Sequence, residues 1–563
     1  MTLTRISGRL LLLVTCLMTM PAGSTTAHQA TAPSHPAKLG TVDFPTSARS
    51  EEAQAHFLRG VAALHSFWYP VALNEFREAT RIEPDFMMGY WGEAMTNNHP
   101  LWGDPQETEA ARKALAKIKI TADQTSPERA YLRAVKILYG EGDKVTRDQA
   151  YATAMEKIYR EHPDDNEAAA FYALALLGTA HPEDPTALRT RMHAAAVALD
   201  VYRKDPNHPG AAHYIIHAFD DPDHAILALP VARHYVEIAP PAHHAQHMPL
   251  HVFQRLGMWP DAAAANEAAW KTSDQWVKSQ DLPISQRDYH SLHWLLYSYL
   301  QQGRYREAED LLATMQKSLA QFPKVDPRML AYGAYTHASM GAEFVVETER
   351  WDAAEKLLPS PQGRAKDSKA TADPTRYQAF AAIAQTPAIF ARGLAAARKG
   401  SPDAQQSMAA LRAIRDQHPD SQEPAIEQVL KMSEIHEFEI AAVAGASQDN
   451  VDEAINIMQK ATALEEATSP PGPPIKPSHE LYGELLLRAG RPAEAAQQFA
   501  KSLFRYPNRA HSLLGAARAA AQSGDTQGAA NAYARFSRQW HQADAQLPAV
   551  REAQEYVQRA SAR

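Results

Sequence analysis

The feature that most constrains this chain is an internal repeat of small and aromatic residues near its carboxyl end. Ala495 and Phe499 recur 34 residues later as Ala529 and Tyr533. A repeat of this length is typical of a pair of helices that cannot bury its apolar face alone. Several such pairs must therefore stack on their neighbours, and each one packs mainly against the next.

Further copies of the pattern occur along the chain. Its residues near the amino end are Gly60, Ala72, Phe76, Ala79 and Pro84, and its less regular copies are Gly303–Ala308 and Asp452–Ala454 with Met458 and Ala461. Small residues let two antiparallel helices approach, an aromatic ring fills the gap to the next pair, and proline ends the second helix. This is the spacing of a tetratricopeptide repeat (TPR), with Gly483 at the small position of the first helix of the C-terminal copy.

The composition agrees with a helical fold. The chain is rich in Ala, Leu, Gln, Glu and Arg, which favour helices, and it has no sustained alternation of apolar and polar residues. We predict an all-α fold, a TPR-like α-solenoid of antiparallel helical hairpins that ends in a C-terminal TPR pair.

Proline-rich stretches divide the predicted solenoid. Leu358–Asp373 and Ser469–Ser478 contain several prolines and cannot be continuous helices. The predicted segments are a signal peptide (1–27), a flexible leader (28–50), an N-terminal TPR-like solenoid with the histidine cluster (51–358), a linker (359–374), a middle helical region (375–468), a proline-rich linker (469–478) and C-terminal TPR repeats (479–563).

The amino end has the pattern of a secretory signal. Arg5 and Arg9 precede a short apolar stretch, and small residues follow it up to Ala27. The stretch is too short for a spanning helix with these flanks, and we expect cleavage after Ala27 and a periplasmic or secreted protein. Cleavage would remove Cys16, the single cysteine, so that a metal site would have to use histidine, carboxylate or backbone oxygen.

Charge and motifs narrow the classes of function. The formal net charge is -8 at pH 7, and no concentrated basic surface is visible, which argues against nucleic-acid binding. Neither a glycine-rich phosphate loop nor a G-x-S-x-G nucleophile motif is present. No transmembrane segment is expected beyond residue 27.

Three stretches resemble secreted bacterial TPR proteins, a largely uncharacterised family with histidine-rich motifs. They are WGEAMTNNHPLW at 91–102, HHAQHMPLHVFQRLGMW at 243–259, and PPGPP at 470–474 with the repeat that follows it. The resemblance covers most of the chain after residue 27, and these motifs are more specific than a generic repeat. It implies an export signal and an α-solenoid, and it implies no settled activity.

Histidines are concentrated in one part of the chain. Of 25 histidines, nine lie between residues 208 and 251, where a uniform spread would place about two. They are His208, His213, His217, His224, His234, His243, His244, His247 and His251. Neutral imidazole is the commonest metal ligand in proteins, so the cluster suggests either a metal centre or a histidine-rich helical core.

Two pairs in this cluster have the spacing of ligands on one helical face. His213 and His217 are four residues apart, as are His247 and His251. Pro249 lies between the second two, so the helix is expected to kink or to begin there, with Met248 pushed away from helical geometry. A kink could turn the two rings toward one point or separate them. We predict these four histidines as metal ligands, and we treat His208, His224, His234 and His244 as background.

Six further residues are secondary candidates for ligands of such a centre. These residues are His65, Glu93, His99, Asp220, His243 and His290. The donor types suit zinc, copper, nickel or iron, and the sequence does not choose among these metals.

Three functions remain open at this stage. The first is a protein- or peptide-binding scaffold whose partner lies on the concave face of the solenoid. The second adds a histidine site for a divalent metal such as zinc, copper or iron. The third is a metal-dependent enzyme, either a hydrolase with three histidines and an open position or an oxygenase with two histidines and a carboxylate. No catalytic residue can be named from the sequence.

Overall fold

A computed structural model describes residues 38–101, 108–181, 184–323, 327–359, 383–418, 424–468 and 474–561. The predicted signal peptide, most of the predicted linker 359–374 and half of the predicted linker 469–478 lie outside these residues. Within them the secondary structure is helical and contains no strand. The fold is all-α, as predicted, and its helices form two compact units.

The first unit takes the described residues up to 252, with 271–273. Its helices are α1 Glu51–His65, α2 Tyr69–Ile82, α3 Met87–Met95, α4 Thr108–Leu115, α5 Ser126–Leu138, α6 Lys144–Glu161, α7 Asn166–Thr179, α8 Ala187–Lys204, α9 Pro209–Ala218, α10 Ala225–Ile238, α11 His243–His247 and the first part of α12 Pro249–Arg255.

The second unit takes residues 253–270 and those from 274 onward. Its helices are Trp259–Ser279, Tyr289–Gln301, Tyr305–Leu319, Pro327–Thr348, Ala354–Leu357, Thr386–Arg398, Asp403–Gln417, Pro424–Ser447, Val451–Ala467, Ser478–Arg488, Pro492–Arg505, Ala510–Gln522, Thr526–Gln539 and Pro548–Ser561, with short 3-10 turns at Ile284–Gln286 and Trp351–Ala353. Consecutive helices pack on one another as hairpins.

Glycines and phenylalanines make the close packing that the repeat predicts. A Cβ atom added at Gly60 would lie 2.7 Å from the ring of Phe76, and one added at Gly92 would lie 2.3 Å from it. Near the carboxyl end the ring of Phe499 occupies the same kind of space, 2.3 Å from a Cβ added at Gly515. In both places the aromatic ring fills a gap that only a residue without a side chain leaves, so hairpins stack as TPR-like repeats.

The predicted boundary at residue 358 is not where the chain divides. Arg509, in the predicted C-terminal repeats, is buried and donates to Glu480 and to Glu347, which belongs to the predicted N-terminal solenoid. Trp259 Nε1 also donates to the carbonyl oxygen of Asn508 at 2.9 Å. A buried charged group is stable only beside a partner of opposite charge. The buried contacts of Arg509 and Trp259 therefore join residues after 252 to the C-terminal helices.

The prediction of a flexible leader is wrong for residues 38–50. Phe44 is buried, and its ring centroid lies 4.8 Å from that of Tyr131 and 5.3 Å from that of Phe57. The hydroxyl of Ser47 donates to Glu128 at 2.8 Å. The buried ring and this hydrogen bond anchor the segment to the first unit.

None of the helices among the described residues is both long enough and apolar enough to cross a membrane.

The glycine contacts give a direct test of the packing. Gly515→Ala should lower the free energy of unfolding by about 1–3 kcal/mol, because the new methyl group must displace the ring of Phe499. Gly445→Ala is the matched control, since its Cβ would meet nothing closer than 3.7 Å and alanine favours a helix by about 1 kcal/mol. Urea unfolding followed by circular dichroism measures both. Equal effects of the two substitutions would contradict the packing.

Candidate metal centre

Two segments of the first unit carry the predicted ligands. Helix α9 begins after His208, whose Nδ1 accepts a hydrogen bond from the amide of Ala211 at 3.1 Å. The second segment consists of α11 and α12, separated by Met248 alone. Met248 has φ −52° and ψ −37°, so it stays in helical geometry, contrary to the expectation for a residue before proline. The second helix begins at Pro249, where a missing amide proton costs least.

His213 and His217 point their inner nitrogens at each other. Their Nε2 atoms are 3.0 Å apart. Nδ1 of His213 donates to the carbonyl oxygen of His65 at 2.7 Å, so its Nε2 carries the lone pair. His244 joins this pair, because one nitrogen from each of the three rings lies within 4.8 Å of the others. The sequence placed His244 in the background, and the structure brings its ring to this pair.

His247 and His251, on α11 and α12, form a second pair with the same arrangement. Their Nε2 atoms are 3.2 Å apart, and Nδ1 of His251 donates to Oδ2 of Asp220 at 2.9 Å. Asp220 was expected as a possible ligand, but the structure uses its carboxylate to orient a ring. Carboxylates that hold the outer nitrogen of a ligating histidine are common partners in metal sites.

The two pairs are neighbours. The ring centroids of His217 and His251 are 6.2 Å apart, and those of His244 and His247 are 6.0 Å apart. We call these five residues the five-histidine cluster: His213, His217, His244, His247 and His251. It contains all four histidines that the sequence singled out, with His244 added.

Burial keeps three histidines of the cluster uncharged. Loss of hydration lowers the pKa of His213 to about 3 and also lowers the pKa values of His217 and His244, and the neighbouring imidazoles lower all three further. The neutral imidazole is the form that binds a metal ion, so these three need lose no proton near pH 7.

Phe67 forms one wall of the cluster, and no sequence pattern predicts it there. Its ring centroid lies 4.3 Å from that of His213, 6.0 Å from that of His217 and 5.6 Å from that of His244. Its backbone φ is +52°, an uncommon conformation for a bulky residue. Such strain costs of order 1–3 kcal/mol and concentrates at functional sites, which agrees with a role for this wall.

A second buried group lies behind the cluster. His65 and His208 donate through their Nε2 atoms to the two oxygens of Glu167, at 2.7 and 3.1 Å, and the hydroxyl of Tyr214 donates to Nδ1 of His65 at 2.8 Å. Burial opposes ionisation of Glu167, but His208 and His65 outweigh it and lower its pKa to about 2. Hydrogen bonds thus occupy every ring nitrogen of both histidines without an ion.

This buried group supports the cluster through the main chain. The carbonyl of His65, which Glu167 holds in place by its side chain, accepts from His213. His65 therefore contributes its backbone oxygen to the site, whereas the sequence suggested its imidazole. Glu167 and His208 were missed as supporting residues because they lie 102 and 143 residues from His65, at no local spacing.

Two predicted ligands, Glu93 and His99, belong to none of the groups with converging ligand atoms among the described residues. Glu93 pairs with Arg77 at 2.9 Å and with Lys117 at 3.8 Å. His99 is buried with its ring 4.5 Å from that of Tyr69, and burial lowers its pKa to about 4.

Two other predicted ligands, His243 and His290, are not members of the five-histidine cluster. His243 begins α11 directly before His244, but it belongs to none of the histidine groups with converging nitrogens among the described residues. His290 belongs to the second unit, on helix Tyr289–Gln301, where Trp294 Nε1 donates to its Nδ1 at 3.2 Å.

Comparison with known proteins leaves the family of the chain open. No protein family matches it, and no curated protein matches it. Among solved structures it is similar to the TPR domain of P58(IPK), at 15% identity over 71% of this chain and 100% of that chain, with a TM-score of 0.21.

Two further solved structures show the same level of similarity. A human IFIT1 dimer with m7Gppp-AAAA has 13% identity over 92% of this chain and 90% of that chain, with a TM-score of 0.34. Yeast Tom70 has 12% identity over 91% and 96%, with a TM-score of 0.32. The assignment of a TPR-like fold therefore rests on the glycine and phenylalanine packing of this chain.

Proposed function

We propose that this chain is an exported helical-repeat protein that binds divalent transition-metal ions through the five-histidine cluster. The observation that carries the proposal is the pair of close contacts between Nε2 atoms, 3.0 Å for His213 with His217 and 3.2 Å for His247 with His251. The export that residues 1–27 predict belongs to the same proposal.

The contact distances suit ligands of one small ion. Bonds of 2.0–2.1 Å at tetrahedral angles place two imidazole nitrogens about 3.3 Å apart. A hydrogen bond between the rings gives a similar distance, and the proposal therefore rests on the recurrence of the contact in two neighbouring pairs. Both His213 and His251 have Nδ1 bound to an oxygen, which leaves Nε2 facing inward in each pair. Fixing the outer nitrogen of a histidine is how proteins orient a metal ligand.

The donor set favours zinc or copper. The cluster presents imidazole nitrogens, and Asp220 is engaged by His251. Imidazole suits zinc, copper, iron and nickel, and copper and zinc bind such ligands most tightly. If residues 1–27 are removed, no thiolate competes for the ion within the chain.

Metal content is the first test. Tag-free protein, loaded with Zn(II) and then dialysed against metal-free buffer, should retain at least about one ion per chain, since sites with several fixed ligands hold zinc tightly. Inductively coupled plasma mass spectrometry measures the ratio. His217→Ala should lower it, and His234→Ala is the matched control because that ring pairs with Glu237 outside the cluster. Less than about 0.1 ion per chain in the unsubstituted protein would overturn the proposal.

A hydrolase is a second candidate function. His213, His217 and His244 offer three nitrogens, the ligand count of catalytic zinc sites that keep a fourth position for water. An oxygenase is less well supported, because its two-histidine, one-carboxylate pattern needs a carboxylate at the ion, and Asp220 is bound to His251.

Hydrolysis of 4-nitrophenyl acetate tests the enzymatic candidate. Zinc-loaded protein should be faster than the same protein after chelation by roughly 10-fold or more, since bound zinc lowers the pKa of its water to near 7. The chelated protein controls for ester cleavage by imidazole itself. Equal rates for the two forms would eliminate hydrolysis of this ester and leave metal binding unaffected.

Peptide binding is a third candidate, and a cavity in the second unit favours it. The cavity has a volume of about 570 Å³, and its lining includes Tyr305, Arg398, His511 and Trp540. Sites for ligands usually have volumes of about 300–1,000 Å³ and combine apolar rings with a few charged groups. The cavity therefore offers a place for a peptide side chain or chain end.

Peptide selection from a display library tests this candidate. The intact chain should enrich a shared sequence motif, and Gln522→Trp should weaken its binding at least tenfold because Gln522 lines the cavity. Gln527→Trp is the control, since Gln527 is exposed and is not among the lining residues. Enrichment that both substitutions leave unchanged would place the peptide elsewhere.

A further inference from the structure

We infer that the five-histidine cluster holds two metal ions in separate sites. The inference rests on the proposed function, and it adds the number of ions and their ligands. We call the site of His213, His217 and His244 site A, and the site of His247 and His251 site B.

The number of imidazoles exceeds what one ion of this kind takes. Zinc in proteins is almost always four-coordinate, and it keeps one position for water or substrate when it is catalytic. Five imidazoles in one cluster therefore provide more nitrogens than a single ion uses.

The spacing of the rings divides the five imidazoles into two sets. Ring centroids are 4.8 Å apart within the pair of His213 and His217, and 5.1 Å apart within the pair of His247 and His251. Between the sets they are 6.0 Å apart for His244 with His247 and 6.2 Å apart for His217 with His251. The inner nitrogens converge within each pair, so each pair defines an ion position of its own.

Each site also has its own anchor. In site A, the neutral carbonyl of His65 holds His213. In site B, the carboxylate of Asp220 holds His251. A carboxylate on the outer nitrogen makes an imidazole a stronger donor and offsets part of the charge of the ion. Separate anchors are expected for two ions, because each ion needs at least one ring whose orientation is fixed.

The two sites are formed by different side chains. Site A takes the converging nitrogens of His213, His217 and His244, and site B takes the Nε2 atoms of His247 and His251. Asp220 is hydrogen-bonded to His251 of site B and acts there as a positioning residue.

Stepwise titration with Zn(II) tests the inference. Isothermal titration calorimetry of the metal-free full chain should show two binding events, and mass spectrometry should find two ions per chain at saturation. Asp220→Asn should weaken one of the two events by about 10–100-fold, which is the usual effect of losing such a partner, and should weaken the other event less. Asp223→Asn is the matched control, since Asp223 is a nearby exposed carboxylate.

His217→Ala and His251→Ala separate the two sites. Each substitution should abolish a different one of the two events, with circular dichroism checking that each variant is folded. Asn has nearly the same size and shape as Asp, so Asp220→Asn still tests the inference if a histidine variant does not fold.

Loading with Cu(II) tests the proximity of the two ions. Two neighbouring Cu(II) ions couple magnetically, so the integrated electron paramagnetic resonance signal should fall below two spins per chain. In His251→Ala the single remaining ion should give its full signal.

The outcomes distinguish the two claims. One ion per chain at saturation, or two ions whose affinities Asp220→Asn leaves unchanged, would overturn the inference and leave metal binding intact. Two Cu(II) ions with a full signal of two spins would also overturn it, because the ions would then be far apart. No bound ion would overturn the proposed function itself.

Discussion

Contact between a phenylalanine ring and the glycines around it underlies the helical stack. Phe76 lies against Gly60 and Gly92, and Phe499 lies against Gly483 and Gly515. Without a side chain on the glycines, each ring reaches the helix backbones on both sides, so one residue joins its own hairpin to the next. Since each repeat contacts mainly its neighbours, the stack depends on these contacts being formed at every step.

Within the first unit, buried polar groups on stacked helices fix the position of His213 in the five-histidine cluster. Glu167 on α7 holds His65 at the end of α1, and the carbonyl of His65 holds His213 on α9. A carboxylate without water is stable only when its hydrogen bonds are complete, and both oxygens of Glu167 have a histidine donor. The position of His213 is therefore set by three helices, which is the precision that a metal ligand requires.

The helix periodicity accounts for what the sequence predicted of the site. Residues four apart share a face of a helix, so His213 with His217 and His247 with His251 could be paired without a structure. Pro249 does not separate His247 from His251, because Met248 keeps helical geometry and the next helix begins at the proline. The role of Asp220 could not be predicted, because it contacts His251 across 31 residues and its spacing from His213 suggested a ligand.

The all-α repeat fold and the four paired histidines both follow from local periodicity, so they could be predicted from the sequence. The sequence could not show that His244 joins these histidines, that Phe67 lies against the cluster or that residues 38–50 pack against the first unit. Nor could it show that the chain divides near residue 252, because the buried pairing of Arg509 with Glu347 joins residues 162 apart. Contacts between distant segments depend on how the hairpins stack, and no spacing in the sequence encodes that arrangement.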